Sequence, residues 1–136
     1  MATTLLASSA QVTGFSYAGP KTVSTRAGQI AALEFTISSA TFTALDLQMP
    51  CAGHAWLELS QPTASSTGTT GQLTLDAISF DATVNGGAVS YAPSTPPSSQ
   101  PLPSGSGTMT GLRIVAVSAM AAQLALNEAT TEAHSC

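Results

Sequence analysis

Two cysteines and two histidines are the residues of this sequence with the clearest chemical potential, because they occur as two close pairs. His54 follows Cys51 in the stretch CAGH, and His134 precedes Cys136 in the stretch HSC. Four such ligands can bind zinc tetrahedrally, and the C-x-x-H spacing of the first pair suits a zinc site. The H-x-C spacing of the second pair is too tight for the usual zinc knuckle. A zinc site is therefore the minor alternative for these four residues.

A disulfide between Cys51 and Cys136 is the interpretation that we prefer. In a secreted chain, an even count of cysteines indicates a bridge. Closing a loop of this length contributes on the order of 4 kcal/mol in the chain-entropy model, and it holds the end of the chain in place. Because such bridges persist in oxidising compartments, we expect a secreted or cell-surface protein.

The other reactive residues do not form a recognisable active site. A cysteine hydrolase needs a thiolate, a base and an orienting group within hydrogen-bond reach, but one cysteine here ends the chain and the other adjoins Pro50. The sequence contains no G-x-S-x-G elbow. Asp76 and Asp81 are an odd number of residues apart on a predicted strand, so they point to opposite faces. We predict no catalytic residue, no enzymatic activity and no cofactor.

The composition limits the partners of the chain. Only 7% of the 136 residues are charged, the formal net charge is -4, and the bases Lys21, Arg26 and Arg113 are dispersed. Binding to a phosphate backbone needs a cluster of cations, so nucleic acid is not an expected partner. No apolar run approaches the roughly 20 residues that span a bilayer, so we predict no transmembrane segment. The start, MATTLLASSA, reads as a mature N-terminus with an added Met.

Four related hexapeptides predict the elements of the fold. They are VTGFSY (12–17), IAALEF (30–35), LDAISF (75–80) and MTGLRI (109–114). Apolar side chains alternate with small or polar ones, which is typical of strands with one buried face. The Gly or Ala in each third place indicates a close backbone approach or a bulge. The expected core is Phe15, Tyr17, Leu33, Phe35, Leu75, Ile78, Phe80, Leu112 and Ile114.

These elements predict one all-β domain over 1–136, with two packed sheets or an open β-jellyroll of short strands. The segments 60–72 and 92–107 are expected to be loops because Ser, Thr, Gly and Pro dominate them. The segment 32–47 aligns with 111–126 as an internal repeat, with Leu33 matching Leu112. The tail is predicted as strand, although its Ala, Leu and Glu content leaves a short C-terminal helix open.

The order of motifs resembles that of small secreted proteins of unassigned function from actinobacteria. The likeness rests on VTGFSY, GQIAALEFTISSATFTALDL (28–47), LTLDAISF (73–80), a Pro-rich excursion and a last strand beginning TGL. It covers most of the chain and contains no catalytic motif. More distantly, the repeated short strands are similar to the open β-jellyroll of periplasmic lipopolysaccharide-transport proteins, which cradle acyl chains between two sheets. That resemblance implies an open roll with an apolar interior.

Two functions fit the sequence. Proteins block edge pairing chiefly with Lys and other charges, and this chain has a single Lys. We therefore expect a structural or adhesive domain that associates with itself or with cell-envelope material. The alternative is a carrier for a lipid or other apolar ligand, bound between sheets by Phe42, Leu45, Leu47 and Trp56.

Overall fold

The chain folds into strands alone. The computed structural model describes residues 2–51 and 53–136, which contain twelve strands and no helix. The first six are β1 Thr3–Thr13, β2 Ser16–Thr25, β3 Gly28–Ile37, β4 Ser39–Thr43, β5 Asp46–Pro50 and β6 Trp56–Ser60. The others are β7 Thr67–Thr70, β8 Leu73–Val84, β9 Gly87–Tyr91, β10 Gly107–Ala121, β11 Leu124–Leu126 and β12 Thr130–His134. The predicted all-β class is confirmed.

All twelve strands belong to one open antiparallel sheet, whose longest path runs β11-β7-β4-β1-β10-β8-β3-β2. The long strands β1, β10 and β8 lie at its centre. On one side, β4 and β5 follow one another along β1, and on the other side β3 and β9 follow one another along β8. The sheet therefore divides into two branches on each side of its centre.

Three neighbouring strands, β10, β8 and β3, bend along one line and continue beyond it as β11, β7 and β4. Ile37 pairs with Leu73 and Ala40 with Thr70, so the β3–β8 register continues unchanged into the β4–β7 register. The β10–β8 register continues in the same way into β11–β7, with Leu124 opposite Thr70. Each strand breaks briefly at the bend, at 38, 71–72 and 122–123. The bend folds the sheet over, so that its apolar faces enclose the core.

Gln61 joins the strands at a second interruption, where β4 gives way to β5 and β6 to β7. Its Oε1 accepts a hydrogen bond from the backbone N–H of Leu45 at 3.0 Å, and its Nε2 donates to the carbonyl oxygen of Thr67 at 2.7 Å. Nε2 also lies 3.3 Å from Oδ1 of Asn127 and 3.1 Å from the carbonyl oxygen of Glu128. Gln61 is only 9% exposed, so this side chain replaces the missing ladder bonds inside the protein.

The predicted core is confirmed except at Tyr17 and Ile78, which are half-buried. Phe15, Phe35 and Phe80 form its aromatic centre, with ring centroids 4.9 to 5.7 Å apart. Ile78 is only half-buried because consecutive residues of β10, Val115 and Ala116, pair with Ser79 and Ala77 and leave Ile78 unpaired between them. This bulge shifts the alternation of buried residues in β8 by one position. Other alternating positions of the central strands are buried as expected.

Several segment predictions need correction. The segment 60–72 is not a continuous loop, because its Thr-rich part forms β7 between β4 and β11. The prediction of strand for the tail is confirmed, since the tail forms β11 and β12 with ladder bonds to β7 and β6, and only the alternative of a short C-terminal helix is wrong. The hexapeptide at 12–17 is not one strand, because Gly14 (φ 67°) turns the chain between β1 and β2. The segment 92–107 contains no strand before Gly107, but its Leu102 is buried in the core.

The pairing does not support the predicted repeat. Segments 32–47 and 111–126 both flank the strands β8 and β7, but their registers differ from the sequence alignment. Leu33 lies opposite Ala77, and so does Ala116 instead of Leu112. The similarity of the two segments reflects the shared alternation of their apolar residues.

Candidate functional site

An apolar pocket of about 280 Å³ lies inside the bend of the sheet. Strands from both sides of the bend contribute to it, because Leu73 precedes the bend on β8 and Leu124 follows it on β11. Its buried floor consists of Leu5, Phe42, Leu45, Leu73 and Leu75. Its exposed rim consists of Ala119, Ala121 and Leu124. The pocket is therefore open at one side and closed by core residues at the other.

Thr70 supplies a polar group to this apolar wall. The residue is 8% exposed, and its Oγ1 atom is buried without a hydrogen-bond partner. A buried hydroxyl left unpaired costs about 1–3 kcal/mol, so a ligand group that reached Oγ1 would be stabilised by it. The remaining polar lining comes from Thr3 and Ser118, and no ionisable side chain among the described residues lines the pocket.

Three of the four residues predicted to bind an apolar ligand line the pocket, and the fourth does not. Phe42, Leu45 and Leu47 line the pocket. Leu45 and Leu47 alternate on one face, and Phe42 joins them because the chain breaks at Ala44 (φ 53°) between β4 and β5. Trp56 does not line it, because this residue points to the opposite face of the sheet. There its indole ring stacks on the imidazole of His134, with centroids 3.8 Å apart and planes inclined by 8°.

The predicted disulfide between Cys51 and Cys136 is confirmed. The alternative zinc set of Cys51, His54, His134 and Cys136 is wrong, because sulfurs joined in a disulfide offer no thiolate to a metal ion. His54 is exposed in the turn between β5 and β6. His134 instead faces acidic side chains that the sequence did not connect with it.

Those acidic side chains belong to three adjacent strands. Glu58 on β6 lies directly opposite Glu132 on β12, and His134 follows two residues later on the same face. The ligand atoms of these three residues all lie within 4.8 Å of one another. Asp46 on β5 lies beside them, where burial and the neighbouring Glu58 carboxylate raise the pKa of Asp46 to about 6. This face therefore concentrates negative charge next to a single imidazole.

A separate ion cluster connects β2, β3 and β8. Glu34 and Asp76 are directly opposite on adjacent strands, and Lys21 Nζ lies 3.2 Å from the first and 3.3 Å from the second. The hydrogen bond to Glu34, followed by that to Asp76, raises the pKa of Lys21 above its ordinary value. The only Lys of the chain thus compensates two facing carboxylates, one of them buried.

Sequence reasoning missed Thr70 and the Glu58–Glu132–His134 cluster. Thr70 lay in a segment predicted as loop, so no inward or outward position was assigned to it. The cluster depends on the pairing of β6 with β12, whose only sequence signal is the i, i+2 spacing of Glu132 and His134.

Within the described residues no helix exists that would be long and apolar enough to cross a membrane. Comparison with models of protein families, with curated proteins and with solved structures finds no match to this chain. The two resemblances noted in the sequence therefore stay predictions.

Proposed function

We propose that the protein binds a small, uncharged and mainly apolar molecule in the pocket at the bend, outside the cytosol. The observation that carries this proposal is the mainly apolar pocket whose lining includes Thr70, a residue with an unpaired Oγ1. Binding sites for small molecules typically combine such walls with a few polar groups that fix orientation. The disulfide supports an oxidising compartment, in which a secreted binding protein would act.

The volume and the lining restrict the class of ligand. If each non-hydrogen atom occupies about 30 Å³, as a water molecule does in the liquid, the 280 Å³ pocket holds about nine atoms. A charged group inside would find no counter-ion among the lining residues. A medium-chain alcohol, aldehyde or ketone satisfies these conditions, because its oxygen pairs with Thr70 while its chain contacts Leu45 and Leu75.

The test uses a series of straight-chain primary alcohols and the matching alkanes, with binding followed by amide chemical shifts in two-dimensional NMR. We expect affinity to rise with chain length until the pocket is full and then to level off. Thr70→Val removes the hydroxyl and keeps the shape. It should weaken alcohol binding about tenfold, the value of roughly one hydrogen bond, and leave alkane binding unchanged.

A second variant tests the location of the site. Ala119→Trp places a large ring at the exposed rim and should abolish binding of every chain length, whereas Ala31→Trp, at an exposed position on β3, should not. Binding that survives Ala119→Trp, or the absence of binding by any member of the series, would contradict the proposal.

Self-association is a second candidate function, favoured by the free edge formed by β11 and β12. Each of these strands pairs on one side only, and Met120, near the end of β10, is 71% exposed. The opposite edge at β2 offers less support, because Pro20, Lys21 and a bulge before Gly19 obstruct further pairing there. Light scattering over a concentration series tests this candidate. Assemblies that grow with concentration and dissociate in Met120→Lys would support it, and a monomer at every concentration would reject it.

A further inference from the structure

The cluster of Glu58, Glu132 and His134 has ligand atoms that converge on one point. His134 Nε2 lies 3.4 Å from an oxygen of Glu58 and 3.9 Å from an oxygen of Glu132. A tetrahedral ion with bonds of about 2.0–2.1 Å holds its ligand atoms about 3.3 Å apart. The distance between His134 Nε2 and the Glu58 oxygen already fits this geometry. The Glu132 side chain, which is 66% exposed, is free to rotate inward.

The imidazole nitrogen at the centre of the cluster lacks a hydrogen-bond partner. Nε2 of His134 is buried, and although Glu58 is within ion-pair distance, the geometry between them is not that of a hydrogen bond. Oδ1 of the adjacent Asp46 is also buried and unpaired. Buried polar atoms are nearly always satisfied in folded proteins, and an exception calls for a water molecule or an ion. The unpaired Nε2, at the point where the Glu58 and Glu132 carboxylates converge, therefore points to a bound cation.

The surrounding structure holds the cluster in position. The imidazole stacks on Trp56, which fixes the orientation of its ring. The disulfide anchors Cys136, two residues beyond His134, so the end of β12 cannot fray from β6. A ligand set on adjacent, paired strands loses little conformational freedom when an ion binds.

The local charge also favours a cation. Among the described residues, neither Glu58 nor Glu132 lies within salt-bridge distance of a Lys or Arg. Two carboxylates that face each other across a strand pair repel one another unless a positive charge lies between them. A divalent ion would remove this repulsion and satisfy the imidazole nitrogen at the same time.

We propose that Glu58, Glu132 and His134 form a binding site for a divalent transition-metal ion such as Zn²⁺. Imidazole as a ligand selects Zn²⁺ and its neighbours over Mg²⁺ and Ca²⁺, which prefer sites built from oxygen alone. Three protein ligands leave a fourth position open to solvent. The site is on the opposite face of the sheet from the apolar pocket, so it does not depend on the function proposed for the pocket.

Trp56 provides a direct probe, because it is the only Trp of the chain and contacts the proposed ligand His134. A paramagnetic ion such as Co²⁺ at this site should quench its fluorescence saturably, and Zn²⁺ should displace Co²⁺ and restore the emission. Calorimetric titration with Zn²⁺ of the oxidised protein should give one ion per chain, whereas Mg²⁺ should give no signal.

Matched variants locate the ion. His134→Phe keeps a ring against Trp56 but removes the nitrogen, and Glu132→Gln removes one charge from an exposed side chain. Each should weaken Zn²⁺ binding by at least about tenfold, since loss of even an outer-shell partner typically costs roughly 10–100-fold. Glu128→Gln and His54→Ala change the same residue types outside the cluster and should bind as the unaltered protein does. No binding at millimolar Zn²⁺, or binding that follows His54 and not His134, would overturn the proposal.

Discussion

Replacing Gln61 by Ala tests whether one amide side chain holds the interrupted strands together. The Leu45 N–H would lose its partner inside the protein, where water cannot replace it, because Leu45 is buried. The carbonyl oxygen of Thr67 and the backbone of the β11–β12 connection would also lose a donor. The strands on both sides of the interruption would then rely on their own short ladders.

The expected magnitude follows from these bonds. An unpaired buried N–H costs about 2 kcal/mol, and each of the two N–H hydrogens of the lost amide contributes about 1 kcal/mol. We therefore expect Gln61→Ala to lower the free energy of unfolding by about 4 kcal/mol. The exposed Gln123 offers a matched control, since Gln123→Ala removes the same groups at the surface and should change stability by less than about 0.5 kcal/mol.

Urea denaturation of the oxidised protein, followed by circular dichroism, measures both variants. Gln61→Glu adds a second test, because the direction in which its stability changes with pH is predicted. The introduced carboxylate would face three oxygens, which raises its pKa in the folded state above the value of about 4.3 in the unfolded chain. Its destabilisation relative to the unaltered protein should be smallest below pH about 4.3 and should grow as the pH rises through the folded-state pKa.

The reasoning would be refuted if Gln61→Ala lost no more stability than Gln123→Ala. It would also be refuted if Gln61→Glu were equally stable, relative to the unaltered protein, at acidic and neutral pH. Either result would mean that the backbone bonds around the interruption suffice without the side chain.

Three other predictions concern stability. Replacing Cys51 and Cys136 by Ala should lower the free energy of unfolding by about 4–5 kcal/mol, from the 85-residue separation in the chain-entropy model, and calorimetry checks this. Lys21→Met should lower the thermal midpoint, because the buried Asp76 loses its counter-ion, and Asp76→Asn in the same chain should restore part of the loss; an unchanged midpoint would contradict this. Gly14→Ala should cost about 3 kcal/mol in urea denaturation, because it adds a methyl group at φ 67° against the side chain of Ser38, between β3 and β4; tolerance of Ala would argue against this turn.

The strands were predictable where alternation is uninterrupted, as in 33–37 and in the second half of β8. The bulge at Ile78 was not, because a shift of one residue depends on the partner strand and leaves no mark in composition. β7 was missed for a different reason. A segment of Thr and Gly has the composition of a loop, and only its position between β4 and β11 makes it a strand.

The candidate site was also predictable only in part. Leu45 and Leu47 were predictable as an inward-facing pair, because side-chain direction follows from local periodicity, whereas Phe42 shares their face only through the break at Ala44. Trp56 does not belong to this set, because alternation along β6 places it on the face opposite Leu57 and Leu59. His134 stacks on it only because β12 pairs with β6, and pairing between distant strands is a property of the whole fold.

The shared bend of the sheet has a consequence for how the protein unfolds. Ile37, Thr70 and Leu124 belong to ladders whose register is the same on both sides of the bend. A slip of one residue in any of these ladders would turn the inward-facing side chains on both sides of the bend outward together. The part of the sheet on one side of the bend can therefore not change its pairing or open alone. Backbone amides on the two sides should exchange with solvent as one cooperative unit.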